Sequence, residues 1–238
     1  MDFFCDSAGI RTQGPYIKSV LLYQLSYGIA DLRVQIYRIF SFYNCYLGKF
    51  GCFKPNFVEM PQKSLCLIGF MGSGKTAVGE QLSKALGWSW VDTDLLIEEQ
   101  TGKSIATIVY DHGWPTFRAI ESEVLKAIDC STPPIISSGG GLPMIAENWD
   151  WIAKHCIIVY LETPADVLAE RLRLNKQIRP SIAGMNTVQL SEFVIEELQK
   201  RIQVYSKADI VVDGNQAINH VVDAILDSIK VFSITKLK

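Results

Sequence analysis

The residues with the clearest chemistry are Gly69-Phe70-Met71-Gly72-Ser73-Gly74-Lys75-Thr76, which keep the spacing G-x-x-x-x-G-K-[ST]. Glycines at those places let a backbone turn its N–H groups inward around a polyphosphate. A helix that starts at the lysine adds its positive N-terminal end. Lys75 brings a movable positive charge to the outer phosphates, and Thr76 a hydroxyl for Mg²⁺. The same residues would also make a glycine-rich turn with a chance lysine. The flanks decide against that: the apolar run Leu65-Cys66-Leu67-Ile68 reads as a buried strand, and Val78, Leu82, Ala85 and Leu86 recur at helical spacing behind the loop.

Four further groups carry chemistry. Asp92-Thr93-Asp94 follows a second apolar run, Trp88 to Val91. Two carboxylates one residue apart at a strand end can face one site, with Asp92 reaching Mg²⁺ and Asp94 accepting a hydrogen bond or proton from a substrate hydroxyl. An aspartate before Leu95 would equally cap a helix. Arg118 and Glu121 stand at i, i+3, and Arg201 and Tyr205 at i, i+4; by spacing alone, each pair reads as surface decoration of a helix. Glu121 could instead hold the Arg118 guanidinium so that its fork grips an anion. Gly139-Gly140-Gly141 is either a turn or a place where a small substrate lies against backbone. Arg179 sits in the polar, aperiodic stretch 175–187, where a lid carrying an arginine would exclude water and meet phosphoryl charge.

The elements that must position these residues alternate. Strands are expected at Leu65–Ile68, Trp88–Val91, Ile135–Ser138, Cys156–Leu161 and Ile210–Val212. Helices are expected at Ala77–Leu86, from Leu95 with a break at Thr101-Gly102, at Phe117–Ile128 after a turn at Trp114-Pro115, at Pro143–Lys154, at Ala165–Leu174 with Thr163 as cap, at Val188–Tyr205 and at Ile218–Ile229. Short apolar strands alternating with helices predict a three-layer α/β/α fold with a five-stranded parallel sheet. Ligands of such sheets bind beyond the carboxyl ends of the strands, where the loop, the acidic triplet and the triple glycine all fall.

Over its 238 residues the chain is 48% hydrophobic and 20% charged, with a net charge of −2, which suits a globular core and disfavours nucleic acid as a partner. Its six cysteines form no C-x-x-C pair, so a reducing compartment and no structural zinc are expected. Residues 1–59 hold seven of the eleven Phe and six of the nine Tyr, and no Trp. They contain neither a spanning run nor a secretory or transit pattern. Residues 17–47 could form an amphipathic helix; equally, 1–59 could be an extension without fixed fold. A compact catalytic domain would span 60–238.

In their order, these motifs resemble shikimate kinase: Gly69 to Thr76; Asp92-Thr93-Asp94 with Leu95-Leu96-Ile97-Glu98; Thr101-Gly102-Lys103-Ser104-Ile105; Phe117-Arg118-x-x-Glu121; Gly139-Gly140-Gly141; Arg179-Pro180; and Arg201-x-x-x-Tyr205. The resemblance covers about residues 63–230. It implies a nucleoside-monophosphate-kinase-like P-loop fold and ATP-dependent phosphorylation of the 3-hydroxyl of shikimate, a step toward chorismate, by a cytoplasmic monomer with no stable membrane association. It implies that Gly72, Ser73, Gly74, Lys75, Thr76 and Ala77 wrap the phosphates and that Thr76 and Asp92 serve Mg²⁺. Asp94 would be the base, with Lys75 and Arg179 beside it in catalysis and Arg179 also on the nucleotide. Arg118 with Glu121, Arg201, and Gly139, Gly140 and Gly141 would receive shikimate. Arg171 and Arg173 both match the arginine that contacts adenine, with Arg173 preferred. Departures are Ser181-Ile182 in the lid and Gly214-Asn215-Gln216-Ala217, which lacks an evident adenine contact. Two competing readings are a gluconate kinase of the same fold, which needs no paired arginines, and a catalytically dead binding domain, which needs none of these side chains.

Overall fold

A computed structural model describes residues 3–5, 11–13, 63–175 and 179–235. The chain divides into two units, Met1–Asn56 and Phe57–Lys238. In the first, strands β1 (Phe3–Cys5) and β2 (Arg11–Gln13) pair antiparallel, Phe3 opposite Gln13. The sequence reading did not anticipate this pair. The helix expected at 17–47 lies outside the described residues.

The second unit is built on a sheet in the order β4-β5-β3-β6-β7, every neighbouring pair parallel. Its strands are β3 (Ser64–Ile68), β4 (Trp90–Asp92), β5 (Ile135–Ser137), β6 (Cys156–Glu162) and β7 (Ile210–Asp213). β3 is central, and all five of its residues are buried. Strand side chains alternate between faces, so both faces of β3 must find cover. Leu65 and Leu67 pack with Val78 and Leu82 of α1 (Lys75–Leu86) and with Val221, Ile225 and Ile229 of α7 (Ile218–Thr235). Cys66 and Ile68 pack on the other face with Leu125 of α3 (Ile105–Lys126), Ile152 of α4 (Ala146–His155) and Tyr205 of α6 (Thr187–Tyr205). This double cover is why the central strands read as unbroken apolar runs.

α2 (Thr93–Thr101) packs on α3, and α5 (Ala165–Leu174) on α6. The expected break at Trp114-Pro115 falls inside α3 as a kink, with Gly113 at φ 78 and ψ 169. Pro115 therefore opens the second half, where a missing N–H costs nothing. Two expected caps are corrected. Thr163 does not cap α5: Pro164 occupies the cap position, and the Thr163 hydroxyl is buried without a hydrogen bond. The cap of α2 is Asp92, not Asp94, because β4 runs one residue further than its apolar letters suggest.

Candidate active site

The phosphate-binding loop leaves the carboxyl end of β3 with Gly72 at φ 84 and Gly74 at φ 95, conformations that a Cβ would strain. Lys75 and Thr76 open α1, with Ala77 in its first turn. The Lys75 ammonium is folded back into the loop, donating to the carbonyls of Gly69 (2.9 Å) and Phe70 (2.8 Å). Burial pulls it down to about 8 from the ordinary lysine range. Ser73 is buried beside it. Beneath the loop, the Trp90 indole donates to Ser137 Oγ (3.0 Å), whose hydroxyl donates to the Lys75 carbonyl (3.0 Å). A Cβ on Gly79 would run into both side chains, so α1 can approach the sheet only because residue 79 is glycine. Neither contact has a signal in the sequence.

The acidic triplet divides three tasks. One oxygen of Asp92 accepts from the N–H groups of Asp94 (3.0 Å) and Leu95 (3.4 Å); the other accepts from the Thr76 hydroxyl (2.8 Å). Helix capping and the bond to Thr76 thus fall on one carboxylate. Thr93, fully buried, accepts from the Gly139 N–H (2.8 Å) and ties the start of α2 to the glycine run. Asp94 is left to face a cavity. Burial, reinforced by Asp92, raises its carboxyl above the usual range, and Lys75, Arg179 and Arg118 oppose the shift.

That cavity, about 110 Å³, brings together Asp94, Arg118, Glu121, the three glycines, Arg179 and Arg201. Arg118 donates to Glu121 (2.5 Å) and lies 5.4 and 5.3 Å from the rings of Trp114 and Phe117. Glu121 is only 1% exposed, and burial lifts it to about 7 against the pull of Arg118. The surface-pair reading of these two residues is therefore wrong: the acid is in the core and holds the guanidinium from behind. Arg201 also lines the cavity, paired with Glu197 (2.5 Å) and 5.0 Å from the Phe70 ring. The triple glycine is no bare turn. A Cβ on Gly139 would meet the carboxylates of Glu121 and Asp94, and one on Gly141 the Arg118 guanidinium. At Gly139 and Gly141 charged groups occupy the space of a side chain, and at Gly140 the backbone of Met71 and Gly69 does.

Arg179 precedes a 3₁₀ turn, Pro180–Ile182, and both Pro180 and Ser181 line the cavity with it. Burial lowers its guanidinium from the usual arginine range. Residues 176–178 of the expected lid lie outside the described residues. The preference for Arg173 is not supported by its position: it turns outward and gives two hydrogen bonds to Glu170 (2.8 and 2.7 Å). Arg171, two residues earlier on the helix, donates instead to the carbonyls of Gly72 (3.3 Å) and Gly214 (3.1 Å), spanning the loop and the end of β7. Sequence reasoning also passed over Trp114 and Phe117, whose aromatic faces support Arg118; their only signal was a cluster of rings around one arginine.

Thr76 Oγ1 and Asp92 Oδ2 form a pair of hard oxygens. This set suits Mg²⁺, which keeps several waters and takes its remaining ligands from substrate phosphates.

A family model described as shikimate kinase matches residues 71–230. The shikimate kinase of Parabacteroides distasonis is 36% identical over 154 residues, covering 65% of this chain and 89% of that protein. That of Thermodesulfovibrio yellowstonii is 39% identical over 151 residues, 63% of this chain and 85% of the relative. A solved structure of shikimate kinase from Acinetobacter baumannii in complex with shikimate aligns with a TM-score of 0.65 at 30% identity, covering 74% of this chain and 96% of its own. The crystal structure of shikimate kinase from Bacteroides thetaiotaomicron gives 0.64 at 28% identity, over 74% and 99%.

Proposed function

The chain belongs to the shikimate kinase family, and on that premise we propose how its residues pass the terminal phosphoryl group of ATP to the 3-hydroxyl of shikimate. One observation carries the assignment of roles: Asp94 faces the same small cavity as Arg118, Arg179 and Arg201, at the mouth of the phosphate-binding loop. Two arginines lining one cavity, each fixed by its own glutamate, can receive a carboxylate with bidentate forks. With the acid end so held, a ring hydroxyl comes to Asp94.

The Asp94 carboxylate takes the hydroxyl proton as the oxygen bonds to the γ-phosphorus, and the bond to the β-phosphate oxygen breaks to release ADP. Lys75 leaves the Gly69 and Phe70 carbonyls and follows the transferring phosphoryl; its three internal acceptors hold it within the loop until ATP displaces them. Thr76 and Asp92 would hold Mg²⁺, which would supply positive charge to neutralise that developing on the phosphates. Arg179 adds positive charge on the same side once nucleotide is in place. Arg171, lying between Gly72 and Gly214, takes the nucleotide-base side in preference to Arg173. Every residue in this scheme comes from one chain, which supports a monomer. The free thiols of Cys66, Cys130 and Cys156 suit a reducing cytoplasm. Among the described residues, no helix is long and apolar enough to cross a membrane.

The test is ADP release with shikimate, with gluconate and with no acceptor. Shikimate alone is expected to support turnover, and Asp94→Asn to lower kcat by about 10²–10⁴-fold with ATP affinity kept. Equal turnover with gluconate would overturn the acceptor, and wild-type turnover in Asp94→Asn would overturn the base.

A further inference from the structure

The carbonyl of Gly140 is held by a group that the transfer scheme leaves unused. It accepts from the Tyr205 hydroxyl at 2.5 Å and from Arg201 Nη1 at 3.5 Å. The two donors stand one turn apart on α6, so one helix face presents both. Tyr205 is fully buried, its ring 5.2 Å from that of Tyr160. Burial pushes its phenol to about 12, so the hydroxyl stays a donor across any working pH. On the other side of the run, Gly139 is pinned through its N–H to Thr93, and its carbonyl accepts from the Leu142 N–H (3.1 Å). Three successive glycines have no side chain to limit their rotation. Each peptide unit is planar, so fixing the carbonyl of residue 140 also fixes the direction of the next N–H.

We propose that Tyr205 is a positioning residue for the acceptor: by holding the Gly140 carbonyl beside Arg201, it sets the glycine run and the Arg201 guanidinium in the arrangement that receives shikimate. The proposal rests on the reading of shikimate as acceptor. Tyr205 touches no reacting atom, and its action passes through a carbonyl that Arg201 shares.

Tyr205→Phe in the full chain tests it, since the ring and its packing against Tyr160 remain. The shikimate KM is expected to rise about three- to tenfold, the range that one lost hydrogen bond supports. ATP KM should stay unchanged and kcat should fall by less than about twofold if the effect lies in ground-state binding. In an Arg201→Lys background, the same change should add little, because both side chains act at one carbonyl. A Tyr205→Phe enzyme with wild-type shikimate KM overturns the proposal. So does a parallel loss of ATP affinity and melting temperature, which would mark a merely structural residue, or fully multiplicative effects in the double variant. Wild-type turnover measured alongside separates the two claims. No turnover with shikimate sinks the acceptor itself; normal turnover with an unmoved Tyr205→Phe KM sinks only the role of Tyr205.

Discussion

Lys75 and Asp94 attract each other across the site and are perturbed in opposite directions by the same cause. Burial disfavours the charged form of each, lowering the ammonium to about 8 and raising the carboxyl. Their mutual attraction opposes both shifts. The lysine has a consequence for the pH profile. In the free enzyme its charge, which the proposed scheme uses on the phosphates, is present below about 8 and is lost as pH rises through that value. Bound polyphosphate stabilises the ammonium and moves its titration upward. The expected outcome is a fall in kcat/KM for ATP through about pH 8, while kcat holds to higher pH, because the first reports the free enzyme and the second the complex. A kcat/KM profile that stays flat to pH 9.5 would show that Lys75 keeps its proton without nucleotide.

At the scale of elements, the site depends on how closely α1 sits on the sheet. The hydrogen bonds from Trp90 to Ser137 and on to the Lys75 carbonyl link β4, β5 and the first turn of the helix that carries Lys75 and Thr76. Gly79 is the contact that permits this spacing, and its missing Cβ is filled by Trp90 and Ser137. Gly79→Ala should push the helix outward, costing about 1–3 kcal/mol as overpacking usually does. It should also raise the ATP KM, since the loop moves with the helix. Trp90→Phe, which removes the ring nitrogen nearest to the added methyl, should restore part of both. Thermal melting and ATP kinetics of the two variants check this; a Gly79→Ala enzyme as stable as wild type would show that the sheet yields instead.

For the whole molecule, the question is how much of the chain the chemistry needs. Every residue of the cavity and the loop lies at position 69 or beyond, and β3 begins at Ser64. The family match likewise lies within 71–230. A chain shortened to begin at Met60 should therefore keep shikimate-dependent turnover. Its melting temperature should shift by less than about 2–4 °C, the change that about 1 kcal/mol produces at this size. Aggregation of the shortened chain, or loss of turnover, would show that residues 1–59 complete the working fold.

The sequence by itself determined what is local. The phosphate-binding loop is legible because its chemistry needs fixed residue types at fixed spacing within eight positions. The strands and helices are legible because burial on one or two faces imposes a period. Together these two signals placed the loop, the acidic triplet and the triple glycine on one edge of one sheet. Tertiary structure decided which of several equivalent residues does what. Asp92 and Asp94 are the same letter, yet one caps a helix and the other faces the cavity, because β4 ends at Asp92. Arg171 and Arg173 differ by two positions, which on a helix is more than half a turn, and only the first faces the loop. Glu121 is indistinguishable by spacing from a surface ion pair until its burial is seen. The remaining decisive contacts join residues far apart in the chain: Ser137 to Lys75 across 62 positions, and Tyr205 to Gly140 across 65. No spacing rule reaches that far, because such contacts exist only once parallel strands have brought their carboxyl ends together.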